Sequence, residues 1–184
     1  GLPRTSAETR PLDRCLGHVL AEPVRSRIDL PPWNNSGMDG FAVRSADIMG
    51  ASAERPVELR VVEDVPAGGF PSIPLSPGTA TRVMTGAPVP EGADGVVRVE
   101  HTDGGRSLGS ADAKVRILLD SDAGSNIRRR GEDLRTGAVV LDHNGVVNAA
   151  AIGAAASVGR SQLRVFRRPH VAVSSSGDEL VEVD

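Results

Sequence analysis

The spacing of apolar residues changes several times along this chain, and each change marks a different element. Leu12, Leu16 and Val19 or Leu20 recur at helical spacing, which predicts a short amphipathic helix ending before Pro23. From Ile28 to Phe41 the pattern breaks: Pro31, Pro32, Asn34, Asn35, Gly37 and Gly40 predict an ordered loop rather than a helix. Short β-rich runs follow at Val57 to Glu63, Thr79 to Met84, Gly95 to Glu100 and Lys114 to Leu119. Turn signals such as Pro66-Ala67-Gly68-Gly69 and Ser76-Pro77-Gly78 bracket them. Regularly spaced short strands predict a β-barrel or sandwich.

Beyond Gly137 the pattern changes again. Val139 to Leu141 reads as a strand and Asp142-His143-Asn144-Gly145 as a hairpin turn. Asn148 is placed to cap an alanine-rich helix running through Val158, and Gly159 to end it. Leu163 to Phe166 is a further strand. Pro169 then opens a new segment, in which His170 to Ser174 reads as an apolar strand entering Ser175-Ser176-Gly177-Asp178. A strand running into a small-residue turn often opens an α/β domain.

Composition narrows the function classes. The 184 residues suffice for one domain or two small ones. Trp33, Phe41, Phe70 and Phe166 are the only aromatics, so Val, Ile, Leu and Ala must fill the core. The net charge of −3 argues against nonspecific nucleic-acid binding, which needs a basic face. Cys15 is the single cysteine, which excludes an internal disulfide and a cysteine metal site and points to a reducing cytoplasm. It falls on the apolar side of the first predicted helix, as a buried thiol. No apolar run reaches membrane-spanning length, and the first residues do not read as a signal peptide.

Four segments place polar groups in constrained backbone. In Asn34 to Arg44, Gly37 and Gly40 flank Asp39, a carboxylate able to take a hard cation or a hydroxyl; the plainer reading is a turn aspartate bonded to its own backbone. In Arg82 to Pro90, Thr85 and the amides of Gly86 and Ala87 could form an oxyanion nest, or an ordinary strand-to-turn junction. In Asn126 to Asp133, three arginines beside Glu132 and Asp133 could clamp phosphate and cation, or pair with one another. In Ser175 to Leu180, hydroxyls and amides suit an anion and Asp178 and Glu179 a metal, but helix capping explains the same residues. The four histidines show no metal-ligand spacing, and no Ser-His-Asp arrangement is suggested locally.

Taken together, in this order, the four segments resemble the molybdopterin molybdenumtransferase family, which includes the E domain of gephyrin. The family's usual runs are close to D-N-S-A-M-D-G-Y-A, M-T-G-A-P-x-P, R-x-x-G-E-D and S-T-G-D-E-L. Gly17 to Glu22, Val65 to Gly69 and Glu91 to Asp94 add to the agreement, which extends from Pro11 to Leu180. The resemblance implies a mixed α+β, mainly β architecture. A β-rich barrel- or sandwich-like domain (28–137) is inserted into a small mixed α/β domain (1–27 with 138–168). Residues 169–184 match only the opening strand and turn of a truncated third, pterin-binding domain.

The resemblance also implies molybdenum cofactor biosynthesis: Mg²⁺-dependent insertion of molybdate into adenylylated molybdopterin with release of AMP, in a cytoplasmic homodimer. By motif, Asp39, Thr85, Asp133 and Glu179 carry the chemistry; Ser176, Gly177, Asp178 and Gly86 hold the nucleotide; Asp39 and Glu179 hold metal. Carboxylates can hold Mg²⁺ against phosphate oxygens and a hydroxyl can orient an oxyanion. The expected partners are small molecules, a second copy and other cofactor-biosynthesis proteins, with no nucleic acid or membrane. Asn34 departs from the usual Asp, Gly37 from Ala, Phe41 from Tyr and Ser176 from Thr, while Asp39, Thr85, Asp133 and Glu179 are kept. Two rival readings are a dimerisation or scaffolding module of the gephyrin type and an inactive fragment. The chain alone is expected to be inactive, since it holds one wall of the cleft.

Overall fold

A computed structural model describes residues 4–106, 109–174, 176 and 177. Its elements are β1 (Ala7–Pro11), β2 (Val24–Arg25), β3 (Asn35–Ser36), β4 (Gly40–Val43), α1 (Ser45–Ile48), β5 (Val57–Val65), β6 (Thr79–Val83), β7 (Gly95–Arg98), β8 (Lys114–Ile117), β9 (Ile127–Arg128), β10 (Val139–Leu141), α2 (Ala149–Ser157) and β11 (Gln162–Phe166). The fold is mixed but mainly β. The chain forms two compact units, residues 28–136 and, on either side of them in sequence, residues 1–27 with 137–184.

The 28–136 unit is built on a five-stranded sheet in the order β7-β4-β6-β5-β8. All neighbours are antiparallel except β5 and β6. Every residue of β4 is buried, because the sheet is covered on both faces. Phe41 and Val43 enter one apolar cluster with Leu59, Val61, Val97, Val115 and Ile117. Ala42 points the other way, joining Val65, Val83, Ala87 and Val96. Strict alternation would put Val61 and Val65 on one face. The register shift between Val61 and Glu63 reverses the phase, so Val65 reaches the second cluster. The short pair β3–β9 adjoins this second cluster, which Ile127 contacts.

In the other unit β1 pairs with β11, Ala7 opposite Phe166 and Pro11 opposite Gln162, and β2 pairs with β10. Helix α2 closes over Cys15, Leu20, Val24, Val147, Leu163 and Val165 through Ala151 and Ala155. Asn148 caps it as expected: its side chain accepts the Ala151 N–H at 2.8 Å. Gly159, at φ +78°, follows the helix.

The helix expected from Leu12 to Leu20 does not form. Only a 3₁₀ turn at Leu12–Arg14 is present. Gly17 then takes φ +73°, and Val19 and Leu20 bridge to Val146 and Val165. Leu16 is exposed, so the helical spacing did not mark one buried face. Cys15 is buried as expected, its thiol donating to the Pro11 carbonyl at 3.2 Å. The turn at Asp142 to Gly145 exists but closes no hairpin: β10 before it pairs with β2, and Val146 after it bridges to Val19. The strand expected at His170 to Ser174 is absent: no ladder partner is present among the described residues, and Val171 and Val173 are exposed.

Candidate functional site

The segment between β3 and β4 is held on three sides. Ser36 exchanges two backbone bonds with the segment after β6: its N–H donates to Ala87 O, and its O accepts from Gly86 N, both at 2.9 Å. Gly37 N–H donates to Asn126 O at 2.8 Å. The Ser36 hydroxyl accepts the Met38 N–H at 3.2 Å and closes the turn. Gly40 makes the tightest approach, since a Cβ there would lie 2.0 Å from Val97 O. That is backbone against backbone, so only glycine fits.

Asp39 is presented from this frame at the surface. Its Oδ1 accepts both the Thr85 N–H and the Thr85 hydroxyl, each at 2.7 Å. The Thr85 hydroxyl and then its amide hold the Asp39 carboxyl below the ordinary aspartate range, and the nearby Arg82 charge adds to this. Oδ2 makes no bond among the described residues, so an ionised carboxylate oxygen stays open. Asp39, Gly40, Phe41, Arg82, Met84 and Val99 line a cavity of about 140 Å³. A larger cavity of about 510 Å³ lies in the other unit, but it has no carboxylate among its lining residues.

Of the two readings of the segment after β6, the ordinary strand-to-turn junction forms and the oxyanion nest does not. Thr85 N–H goes to Asp39, Gly86 N–H to Ser36 O, and Ala87 N–H to Met84 O. All three amides are committed, so the open turn at Gly86 (φ +84°) offers room but no spare donor. In the arginine run from 128 to 130, Arg128 pairs within the segment and Arg130 pairs outside it. Arg128 bonds Glu132 at 2.8 Å and Asp133 at 2.5 Å, and Arg130 bonds Asp29 at 2.6 Å. Asp133 is exposed and tied to Arg128, whose backbone pairs with Asn35 across β3–β9. Asn34, where an aspartate is usual, accepts the Arg130 N–H at 2.9 Å. An aspartate would accept the same bond, so the departure removes a charge and not a contact. Phe41, where a tyrosine is usual, is fully buried.

Asp39 and Thr85 are thus brought into contact, and Asp133 is held on the neighbouring β9 side. Ser176 and Gly177 are exposed in a segment without regular structure, and Asp178 and Glu179 lie outside the described residues. The sequence carries no sign of a second polar group, centred on Asp122. Asp122 is buried and bonds the Arg98 guanidinium twice at 3.1 Å, the Arg98 amide at 3.1 Å and His101 Nδ1 at 2.9 Å. Burial pushes its carboxyl up, but the Arg98 bonds outweigh it and the net direction is down. The adjoining Asn126 takes φ +63°, donates to Val96 O at 2.9 Å and receives Gly37. A lone aspartate in an Asp-Ala-Gly turn carries no signal of such partners.

Residues 2–159 match the family described as MoeA N-terminal region (domain I and II). A Mycobacterium tuberculosis protein named molybdopterin molybdenumtransferase 2 is 45% identical over 172 residues, covering 94% of this chain and 41% of that protein. A Nostoc molybdopterin molybdenumtransferase is 42% identical, covering 91% of this chain and 37% of that protein. A crystal structure of a molybdopterin biosynthesis MoeA protein from Pyrococcus horikoshii superposes with TM-score 0.79 at 31% identity, over 90% of this chain and 41% of that one. The chain therefore spans about two fifths of the length of the relatives it matches.

Proposed function

The chain belongs to the family of the MoeA N-terminal region, and we propose from that premise that it forms one wall of a site where molybdate is inserted into adenylylated molybdopterin. The reading is carried by one observation: Asp39, in a frame that glycine alone permits, is pinned through Oδ1 to Thr85 and keeps Oδ2 open. In the proposed reaction water cleaves the pyrophosphate bond of the nucleotide, AMP leaves, and molybdate gives up oxo groups as water in exchange for bonds to the two dithiolene sulfurs. Thr85 keeps Asp39 ionised and oriented, which is positioning arranged before substrate arrives. Asp133, on the return beside β9, bounds the same wall, and the open turn at Gly86 lets a nucleotide approach. Ser176, Gly177, Asp178 and Glu179 belong in this proposal to a facing third domain.

The donor chemistry fits Mg²⁺. This ion takes oxygen ligands, keeps several waters, and is held by one or two carboxylates together with substrate phosphates. Asp39 Oδ2 suits that role, with Glu179 as the proposed second carboxylate. Among the described residues no group of three or more His, Cys, Asp or Glu could hold a metal alone. Mg²⁺ bound there would neutralise charge developing on the phosphates. The proposed assembly is a homodimer acting on small molecules, without nucleic acid or membrane; no described helix is long and apolar enough to cross one.

The proposal predicts that the 184 residues alone do not turn over, because Asp39 supplies a single open carboxylate oxygen and the nucleotide needs the facing wall. Isothermal titration of the chain with adenylylated molybdopterin should show no submicromolar binding. A chimera in which the chain replaces the matching 41% of the Mycobacterium tuberculosis relative should release AMP with molybdate and Mg²⁺. AMP release by the chain alone, or an inert chimera that folds and dimerises, would contradict the assignment.

A further inference from the structure

The cavity beside Asp39 holds a cation that the function proposed above does not use. Arg82 lines it together with Asp39, Gly40, Phe41, Met84 and Val99. The parallel register of β5 and β6 sets Asp64 opposite Arg82, and Arg82 NH1 donates to Asp64 Oδ2 at 3.0 Å. Both side chains are partly exposed, 34% and 41%, so the pair is weak and readily exchanged for a better partner. A guanidinium carries five N–H donors, and Asp64 receives the one bond that the Arg82 guanidinium donates among the described residues.

An anion entering this cavity meets an unfavourable field from Asp39, whose Thr85 bonds keep it charged. The amides that might have offset that field are spent: Thr85 on Asp39, Gly86 on Ser36, Ala87 on Met84. Arg82 is the lining group with the charge and the spare donors to receive an oxyanion.

We propose that Arg82 is the oxyanion-binding residue of this wall, releasing Asp64 to take a tetrahedral dianion through paired N–H groups. Guanidinium forks match such oxygens in a two-pronged geometry. Asp64 is then an internal stand-in for the ligand. It holds Arg82 extended along β6 when no anion is present and competes when one is. The identity of the anion rests on the function proposed above: a phosphate of the nucleotide, or molybdate.

The test is a titration of the full chain with inorganic phosphate and, separately, with molybdate, at ionic strength fixed with chloride. It is followed by NMR at the Arg82 side-chain N–H and the backbone amides of Met84 and Thr85. The wild type should show saturable shifts with at least one of the two anions. Asp64→Asn removes the competitor and should tighten binding about 2- to 5-fold, the worth of an exposed ion pair. Arg82→Gln should abolish the saturable shifts while the Thr85 amide keeps the resonance set by its bond to Asp39. Response to phosphate alone or molybdate alone supports the proposal and assigns the source. Shifts that persist in Arg82→Gln, no tightening in Asp64→Asn, or no response beyond chloride in the wild type would overturn it. Because no turnover is read, this result stands or falls separately from molybdenum insertion.

Discussion

At Asp39 the carboxylate is useful because its two oxygens do different things. Oδ1 is spent on Thr85, which fixes the group, and Oδ2 is left without a bond among the described residues. None of this is visible locally, since Thr85 lies 46 positions further on. What the sequence does carry is the demand for glycine. Gly40→Ala would drive Cβ into Val97 O, a 2.0 Å approach that the backbone must open to relieve. That variant should move the Asp39 loop and lose the protected Thr85 amide in hydrogen exchange; unchanged protection would show that the loop is not framed by Gly40. Asp29 gives a second residue-scale prediction. Its bonds from the Thr136 amide, the Thr136 hydroxyl and Arg130 lower its carboxyl from 3.8 to about 2. A carboxylate depressed on folding stabilises the fold above its unfolded value and loses that contribution as pH falls through the folded one. The Asp29 contribution should therefore be intact above about 4 and fade between there and about 2. An NMR titration giving Asp29 an ordinary aspartate midpoint would refute the bonding described.

Among the elements, legibility depended on whether the deciding forces were local. Val57–Val65, Thr79–Val83 and Lys114–Ile117 stand where turn-bounded β-branched runs put them, and α2 begins on its asparagine cap. The segment from Leu12 to Leu20 departs from its helical spacing because that spacing competes with long-range pairing: Leu20 bridges Val165, and Gly17 takes a positive φ. Ala7–Pro11 gave no signal as a strand, since its alternation is weak and its partner lies at Gln162–Phe166. The cap offers a clean energetic test. Asn148→Ala leaves the Ala151 N–H without its 2.8 Å partner and should cost about 1 kcal/mol in urea unfolding. A cost indistinguishable from zero would mean that packing of Ala151 and Ala155, rather than the cap, starts the helix.

Over the whole molecule, the chain leaves one unit at residue 27, builds the 28–136 unit, and returns to the first at residue 137. Asp29 helps close that return, since Thr136 and Arg130 converge on it. Family membership was legible because four polar runs occur in one order, which outweighs any of them alone. The geometry of the site was less so: the amides of Thr85 to Ala87, readable as a nest or as an ordinary turn, are consumed by internal bonds, and the Asp122 group gave no sequence signal. Asp39 is a fixed carboxylate with one oxygen open, proposed above to serve molybdenum insertion. The most direct test is the rate of insertion at limiting molybdate by the Mycobacterium tuberculosis chimera carrying Asp39→Ala, compared with the unsubstituted chimera. The prediction is a loss on the order of a hundredfold, the scale at which mispositioned reactants fail, with the melting temperature unchanged. Insertion at the unsubstituted rate would contradict it.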